Sequence, residues 1–263
     1  MTNPAISTLA EFADTLAEAA RKIIRSPHEL LHSSWKADGS IVTEMDLVIE
    51  RELRAIIKQR FPDHGIVGEE FDNENVDADY VWVIDPIDGT DLFATGLPGY
   101  ATLIGLCRQG KPVLGVIDSA ATGQRWIGGD GIGSFCNGEK LQTRPCLSLE
   151  QAIMATYSPD YFEGAERRDL DLLIESTRLR VYGGSSLSYG QLAAGLIDIG
   201  IEAQHDIVDY CALVPVVTNA GGRITDWEGR NLGLGSGSRF VACGDPQLHE
   251  RILTLLRDED LAD

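Results

Sequence analysis

The hexapeptide at residues 85–90, Asp-Pro-Ile-Asp-Gly-Thr, places two carboxylates, a glycine and a hydroxyl directly after the apolar run 80–84. The length of that run and its branched and aromatic content predict a buried strand. Side chains alternate along a strand, so the two acids would normally face opposite ways. Because Pro86 fixes its own φ and lacks a backbone donor, we expect the chain to leave the sheet there. Asp85 and Asp88 could then converge on one point.

The same hexapeptide offers groups for both a cation and a phosphate. Hard divalent cations prefer carboxylate oxygens, and Mg²⁺ commonly binds a few carboxylates together with a substrate phosphate. Gly89 permits a tight turn that a ligand can approach, and a helix beginning at about Thr90 would direct free N–H groups at an anion. The alternative is an acidic turn after a strand, which suffices for Asp-x-x-Asp alone but does not account for the whole string.

Four further acids stand where such a site could use them: Glu69 and Glu70 after a short strand, Asp46 in a helix, and Asp209 near the start of a later helix. Each alone has an ordinary explanation. A pair of glutamates can be a solvated loop, and an acid at a helix N-terminus is stabilised by the helix dipole. The six acids taken together are not explained by these separate structural roles and indicate a functional site.

Hydrophobic spacing and turn residues predict the elements that must position these acids, in a mixed α and β chain with a change of lobe near 140–150. Thr8-x-x-Glu11 is a capping-box pattern ahead of an apolar stripe, which predicts an amphipathic helix ending before Pro27. Turns rich in Gly, Pro and Asp between 100 and 136 indicate an antiparallel sheet. Further helices are expected from 43 or 44 to about 60, over 166–176 and 186–194, from about 208 to 220 and from 246 onward, and strands over 65–68, 80–84, 100–107, 113–118, 124–128, 133–136, up to 182, over 197–201 and over 241–243.

The amino-acid composition excludes several classes of protein. A chain of 263 residues with 43% hydrophobic and 24% charged residues is typical of a soluble protein with one large domain or two packed lobes. Its formal net charge of -19 argues against nucleic-acid and anionic-membrane partners, which need a basic face. The odd number of widely spaced cysteines indicates reduced, mostly buried thiols. With no export signal and no membrane-spanning apolar run, we expect a cytoplasmic protein.

In their order and spacing, the acids resemble the pattern of the inositol monophosphatase family of metal-dependent phosphatases. The matching elements are Asp46, Gly68-Glu69-Glu70, residues 85–90, Asp209 and the later Asn219-Ala220-Gly221-Gly222, so the resemblance extends through nearly the whole chain. It implies a layered αβαβα sandwich of the inositol monophosphatase and fructose-bisphosphatase type, in the mixed α/β class. It also implies a homodimer and two lobes packed as one unit, an N-terminal α+β lobe at 1–145 and a C-terminal α/β lobe at 146–263.

The resemblance further implies roles for individual residues. The substrate would be a small phosphorylated metabolite, and two or three Mg²⁺ ions, or Mn²⁺, would serve as cofactors. The implied metal ligands are Glu69, Asp85, the Ile87 carbonyl, Asp88 and Asp209. The implied catalytic residues are Glu69, Thr90 and Glu70, which orient a water and receive its proton, and Asp46, which acts from the outer shell. The implied substrate contacts are Asp88, Gly89, Thr90, Ser185, Glu202 and Asp209.

Within the family, segments 61–65, 124–126, 156–159 and 212–217 are most similar to the histidinol-phosphatase branch. We therefore expect a phosphate monoester hydrolase that favours histidinol phosphate. Alternatives are an inositol-1-monophosphatase, a broad sugar or nucleotide phosphatase, and a non-catalytic metal-binding relative. Fructose-bisphosphatase activity would need a second, basic phosphate site, and no obvious Arg/Lys cluster provides one.

One position departs from the family pattern, with Val208 in place of the tryptophan before the late aspartate. Two others depart from the histidinol-phosphatase branch, where Ser185 replaces an acid and Asp91 a basic residue. Glu202 could still meet an amine of the substrate, although a surface acid at a strand end is the alternative. Ser185 could equally cap the helix at 186.

The histidines are weaker candidates. His28 and His32 lie at helical spacing without a third ligand nearby, so surface histidines are favoured over a zinc pair. His205 has the position of a specificity-loop residue, but an exposed loop histidine is favoured.

Overall fold

The computed structural model describes residues 4–26, 33–35 and 41–258. Within these ranges the expected layered α/β architecture is confirmed, with layers alternating as α, β, α, β, α. No helix in these parts of the chain is long and apolar enough to span a membrane. His28 and His32, interpreted above as surface histidines, lie outside the described residues.

The helices and strands have the following bounds. The helices are α1 (Ile6–Arg25), α2 (Glu44–Arg60), α3 (Thr90–Ala94), α4 (Gly164–Ser176), α5 (Leu187–Ala193), α6 (Ile207–Tyr210), α7 (Leu213–Thr218) and α8 (Pro246–Asp258). The strands are β1 (Ser33–Trp35), β2 (Ile41–Thr43), β3 (Gly65–Gly68), β4 (Tyr80–Asp88), β5 (Ala101–Arg108), β6 (Lys111–Asp118), β7 (Arg125–Gly129), β8 (Gly133–Cys136), β9 (Glu139–Lys140), β10 (Ile153–Thr156), β11 (Leu179–Tyr182), β12 (Ile199–Glu202), β13 (Arg223–Thr225) and β14 (Phe240–Cys243).

Five of these strands were not expected from the sequence: β1, β2, β9, β10 and β13. Each has two to four residues, which is too short for an alternating pattern to show. β10 nevertheless lies inside a sheet, because its neighbours β11 and β12 supply hydrogen-bonding partners on both sides. Partner strands that are distant in sequence therefore decide the strand state of this segment.

One sheet within the described residues has seven strands in chain order, β3 to β9. β3 is parallel to β4 and the later neighbours are antiparallel, which confirms the antiparallel arrangement expected between 100 and 136. α1 and α2 cover one face, where Leu16 and Leu53 join a buried core with Trp82. Full burial of an apolar side chain of this size contributes about 1.5–3 kcal/mol.

The second sheet has the order β11-β10-β12-β14-β13. α5 and α7 lie between the two sheets, and Tyr189 and Val216 belong to the apolar core there. α4 and α8 cover the outer face, where Leu170 and Ile252 pack against Met154. The functional side chains described below lie where β4 and α6 meet at the border of these layers.

The start of α1 differs from the expectation. The helix begins at Ile6, so Thr8 and Glu11 lie inside it, and the expected capping box there is wrong. Ala5 is the N-cap and makes no side-chain cap hydrogen bond. The helix extends upstream because Ile6 packs against the core under the first sheet, and tertiary burial supplies more helix stability than a local cap.

β4 also differs, because the chain does not leave the sheet at Pro86. The strand continues to Asp88, and a register shift lies between Asp85, which pairs with Leu103, and Asp88, which pairs with Ala101. The extra residue of such a bulge needs no ladder hydrogen bond, so a residue without an N–H fits there. The bulge also breaks the alternation of side chains, so the two acids can share one side without the strand ending.

The single helix expected over 208–220 is two helices, α6 and α7. Pro215 has no N–H to donate to the carbonyl of Cys211, four residues earlier, so the helical hydrogen-bond pattern is interrupted there. The chain turns between Tyr210 and Leu213 and continues along the inner face of the first sheet.

Three glycines allow this segment to approach the sheet closely. Gly105, Gly115 and Gly128 are direct neighbours across β5, β6 and β7 and form a row that we call the glycine lane. A Cβ added at Gly115 would lie 1.9 Å from the Ala212 carbonyl oxygen, and one at Gly128 would lie 2.5 Å from the Pro215 carbonyl oxygen. The backbone after α6 therefore contacts the backbone of the sheet directly. This contact fixes the distance between the sheet and α6, which carries Asp209.

We expect Gly115→Ala to destabilise the protein by about 1–3 kcal/mol or more, because the added methyl group overlaps backbone atoms that cannot rotate away. Urea unfolding monitored by circular dichroism measures this change. Gly235→Ala is the matched control, since a Cβ there meets nothing within 4 Å, and it should leave the unfolding midpoint unchanged. Equal midpoints for the two variants would contradict the close approach.

Candidate active site

Three aspartates converge where β4 ends and α6 begins. Each of Asp85, Asp88 and Asp209 offers a carboxylate oxygen, and these oxygens all lie within 4.8 Å of one another. Asp85 is buried, whereas Asp88 and Asp209 are partly exposed. The bulge in β4 brings the first two together, and the packing of α6 against the sheet brings the third.

Mutual repulsion and burial act on this cluster. Burial raises the pKa of Asp85 well above its ordinary value, and the charges of Glu69, Asp88, Asp209 and Asp46 raise it further. One Asp85 oxygen, Oδ1, is buried without a hydrogen-bond partner among the described residues. A buried acceptor without a partner is costly, and a hard divalent cation binds carboxylate oxygens of this kind. The donor set therefore fits a divalent metal ion.

Asp209 belongs both to the cluster and to a local cap. Its Oδ2 accepts a hydrogen bond from the Asp206 N–H at 2.6 Å, as the third residue of a capping box that opens α6. Asp209 is therefore both an acid at a helix N-terminus and a member of the aspartate cluster. Burial raises the pKa of Asp209 to about 6, although the nearby His205 opposes that shift.

Asp46 is the acid of another capping box, which opens α2. Its Oδ2 accepts hydrogen bonds from the Thr43 N–H at 2.8 Å and from the Thr43 hydroxyl at 2.6 Å, while Oδ1 has no hydrogen-bond partner in the described structure. Burial raises the pKa of Asp46 to about 6, and the Thr43 hydrogen bonds oppose the shift. One oxygen is thus held rigidly and the other is left for a ligand or water.

Asp88 is held by the turn before α5. Its Oδ2 accepts hydrogen bonds from the Ser185 hydroxyl at 2.5 Å and from the Ser186 N–H at 2.9 Å. The suggestion that Ser185 caps the helix is therefore wrong, since Ser186 is the N-cap and no side chain caps α5. Ser185 has a φ of 43°, an uncommon left-handed backbone conformation for serine, and it also lines the cavity described below.

The two glutamates after β3 are placed differently from each other. Glu69 is exposed and lines the cavity, and its charge raises the pKa of Asp85 and of Asp46. Glu70 is not among the cavity-lining residues, and its backbone N–H donates to Glu50 Oε2 at 2.8 Å. The geometry therefore favours Glu69 over Glu70 as the glutamate that faces a ligand.

The turn after β4 carries the groups expected to meet a phosphate. Gly89 is the N-cap of α3 with a φ of 81°, a left-handed conformation that favours glycine. The Thr90 hydroxyl donates to the Ile87 carbonyl at 2.9 Å, which fixes the hydroxyl and occupies one side of that carbonyl oxygen. Gly89 and Thr90 both line the cavity beside the aspartate cluster.

A cavity of about 1090 Å³ opens over these residues, and aromatic side chains form part of its wall. The Tyr157 hydroxyl donates to Asp91, and the rings of Tyr157 and Tyr161 stack with centroids 5.6 Å apart. His205 meets Tyr161 edge to face at 6.0 Å, and its Nδ1 lies 2.9 Å from the Ala203 carbonyl. His205 is half-buried in the wall, so its interpretation as an exposed loop histidine is wrong.

Glu202 lies behind this wall. It is 2% exposed and accepts hydrogen bonds from the Thr156 hydroxyl at 3.0 Å and from the Tyr157 N–H at 2.9 Å. Burial raises its pKa to about 7. The interpretation as a surface acid is therefore wrong, and Glu202 does not line the cavity as a direct substrate contact would.

The charged side chains that line the cavity are mostly acidic. Among the described residues that line it, no side chain is a lysine or an arginine. The carboxylates that line it are Glu69, Asp88, Asp91, Asp206 and Asp209. Sequence reasoning gave no role to Asp91, Asp206, Tyr157 or Tyr161, although the departure at Asp91 from the histidinol-phosphatase branch was a usable signal. Their proximity arises only when α3, the loop after β10 and the loop before α6 meet.

Comparisons with known proteins agree with this geometry. A sequence model described as the inositol monophosphatase family matches residues 2–261. The chain is 38% identical to the bifunctional phosphatase IMPL2 of Arabidopsis thaliana, over 93% of this chain and 72% of that protein. It is 34% identical to a histidinol-phosphatase of Mycobacterium tuberculosis, over 86% of this chain and 88% of that protein.

Solved structures show the same fold. An inositol monophosphatase from Zymomonas mobilis superposes with a TM-score of 0.86 at 37% identity, covering 97% of this chain and 99% of that one. The inositol monophosphatase of Thermotoga maritima superposes with a TM-score of 0.83 at 26% identity, covering 94% and 96%. Since the family match spans nearly the whole chain, this protein belongs to the inositol monophosphatase family and is a phosphatase.

Proposed function

We propose that this phosphatase hydrolyses the monoester of a small, positively charged metabolite, with histidinol phosphate as the favoured substrate and Mg²⁺ as the cofactor. The observation that carries the proposal is the cavity wall, which presents carboxylates and aromatic rings and, among the described residues, no lysine or arginine. A leaving group that carries an amine or an imidazolium would be attracted to such a wall. A second anionic group, as in a bisphosphate, would be repelled.

The residues present fit a set of divalent cations. Asp85, Asp88 and Asp209 would hold them, with Glu69 at the cavity edge and the Ile87 carbonyl as a further oxygen donor. When bound, such cations neutralise the carboxylates, polarise the phosphate and make water more acidic. Two divalent cations balance the charge of the four ligating carboxylates, which explains how the acids can stay ionised together.

The protein's own groups position the reactants. The backbone N–H groups of Gly89 and Thr90 would bind the phosphate oxygens at the turn into α3. The Thr90 hydroxyl, fixed by its hydrogen bond to Ile87, would accept a hydrogen bond from the attacking water, and Glu69 would take its proton. The water oxygen bonds to phosphorus as the ester P–O bond breaks, and the departing alkoxide is protonated from solvent. Asp46 would orient a second water through its free Oδ1.

The aromatic wall is the proposed site for the leaving group. Tyr157 and Tyr161 offer ring faces to a flat or cationic group, and Asp91 provides a carboxylate at the same wall. Glu202, held behind Tyr157, would add negative potential without contact as pH rises through its pKa of about 7. The similarity to the M. tuberculosis histidinol-phosphatase supports this substrate. Inositol 1-phosphate is the second candidate, supported by the similarity to the Z. mobilis inositol monophosphatase.

We expect Mg²⁺ to raise the melting temperature by roughly 5 °C at about 100 times its Kd, because it binds only the folded cluster. Asp209→Asn should reduce that rise and lower the phosphatase rate by more than the roughly 10–100-fold loss typical of outer-shell changes. Differential scanning fluorimetry and phosphate release measure the two effects. Asp130→Asn, at an exposed turn, is the control, and a fully active Asp209→Asn variant would contradict the metal assignment.

A second expected outcome concerns pH in the presence of a chelator. The pKa of Asp209 is about 6 in the folded protein and 3.8 unperturbed, so its contribution to stability is fully present below 3.8 and is lost as pH rises through 6. Between pH 4 and pH 7.5 the wild type should therefore lose more unfolding free energy than Asp209→Asn, by on the order of 1 kcal/mol. Urea titrations at a series of pH values test this, and identical slopes for the two proteins would contradict it.

The substrate proposal predicts that kcat/KM for histidinol phosphate exceeds that for myo-inositol 1-phosphate by about tenfold or more, which corresponds to about 1.4 kcal/mol of preference. Asp91→Asn should reduce mainly the rate with histidinol phosphate, since the amide still accepts from Tyr157 but carries no charge. Steady-state phosphate release with both esters measures this. A preference for the inositol ester, or an equal loss on both substrates, would refute the cationic leaving-group site and leave the phosphatase assignment standing.

A further inference from the structure

A buried ion pair lies on α2 behind the loop that carries Glu69. Glu50 and Arg54 are one helical turn apart and are 0% and 5% exposed, with Arg54 Nε 2.8 Å from Glu50 Oε1. Neither residue lines the cavity. Removing two charges from water costs several kcal/mol before their attraction is counted, so a pair in this position needs a further role to explain it.

The remaining polar atoms of the pair bind the loop that follows Glu69, two of them through its backbone and one, Arg54 Nη1, through the Glu74 side chain at 3.1 Å. Glu50 Oε2 accepts the Glu70 N–H at 2.8 Å, and Arg54 Nη2 donates to the Phe71 carbonyl at 3.0 Å. Charge-assisted hydrogen bonds of this kind are roughly twice as strong as neutral ones. The two residues that follow Glu69 are therefore fixed to α2 by one acceptor and one donor.

The residue before Glu69 is fixed by packing on the same pair. A Cβ added at Gly68 would lie 2.0 Å from Glu50 Oε1 and 2.8 Å from Arg54 Nη2, so a larger residue there would displace the ends of both side chains. Arg54 also lies over the Phe71 ring, 5.9 Å from its centroid. The loop is thus held to α2 on both sides of Glu69, whose own side chain is exposed to the cavity.

We infer that Glu50 and Arg54 are positioning residues for Glu69, and so for cation binding at the site. The pair fixes the backbone before and after Glu69, which sets where an exposed carboxylate can reach. α2 carries Asp46 in its first turn and this pair in the next turns, so one rigid helix places two of the acids. The inference rests on the proposed metal-dependent function, because positioning matters only if Glu69 meets a cation.

The test compares Mg²⁺ binding and Mg²⁺-dependent phosphate release in the wild type and in Arg54→Lys. Lysine keeps the charge but loses the planar fork that joins Glu50 to the Phe71 carbonyl. We expect the Mg²⁺ concentration for half-maximal activity, and the Mg²⁺ Kd measured by calorimetry, to rise about tenfold, as for other residues that orient metal ligands. Glu50→Gln, which keeps the side-chain shape, should raise both values in the same direction and serves if Arg54→Lys does not fold.

Arg21→Lys is the matched control. Arg21 makes a two-pronged ion pair with the buried Asp118, at 2.6 and 3.0 Å, and neither residue lines the cavity. The Arg21→Lys substitution should lower the melting temperature without changing the Mg²⁺ Kd or the Mg²⁺ concentration for half-maximal activity. A wild type that neither binds Mg²⁺ nor releases phosphate would refute the proposed function. If the wild type does both, and the Mg²⁺ Kd and half-saturating concentration are unchanged in Arg54→Lys and Glu50→Gln, the positioning role alone is overturned.

Discussion

The structure depends on holding several carboxylates together against their own repulsion. Asp85 is buried within the nine-residue strand β4, and burial, together with the charges around it, raises its pKa well above the ordinary value. Isolated in solution, such groups would separate or take up protons. The two packed sheets and their helices supply the opposing free energy, since moving Asp85 away would also unpair β4 at the centre of the first core.

Asp46 and two acids of the cluster are held by neutral donors, which do not cancel the carboxylate charge. Asp46 is bound by Thr43, Asp88 by the serine turn before α5, and Asp209 by the backbone N–H of Asp206. An arginine in those positions would fix the acids equally well but would cancel the charge that a cation needs. The guanidinium of Arg54 does not line the cavity, and it donates its hydrogen bonds to Glu50, to Glu74 and to the Phe71 carbonyl.

The cavity wall shows how a shared fold can differ in substrate. The clustered acids belong to a pattern that the family match covers, whereas Asp91, His205 and Tyr161 line the same cavity outside that cluster. These residues come from three separate segments, and in the described structure their side chains make no hydrogen bond to the aspartate cluster. Function within a fold family is decided by such local sites, so the wall can change while the cluster is kept.

The class of chemistry could be predicted from the amino-acid sequence, because its signals are local. The 85–90 string, the pair Glu69 and Glu70, the turn glycine and the helix start at Thr90 all depend on neighbours in the chain. The end of β4, the break in the helix after Asp209 and the set of residues that face the cavity could not be predicted in this way, because they depend on tertiary contacts. The bulge at Pro86 needs β5 as a partner, the close approach of the backbone after α6 needs glycines on three strands, and the burial of Glu202 needs the loop around Tyr157. Each of these is a contact between segments distant in sequence, and no periodicity within one segment encodes it.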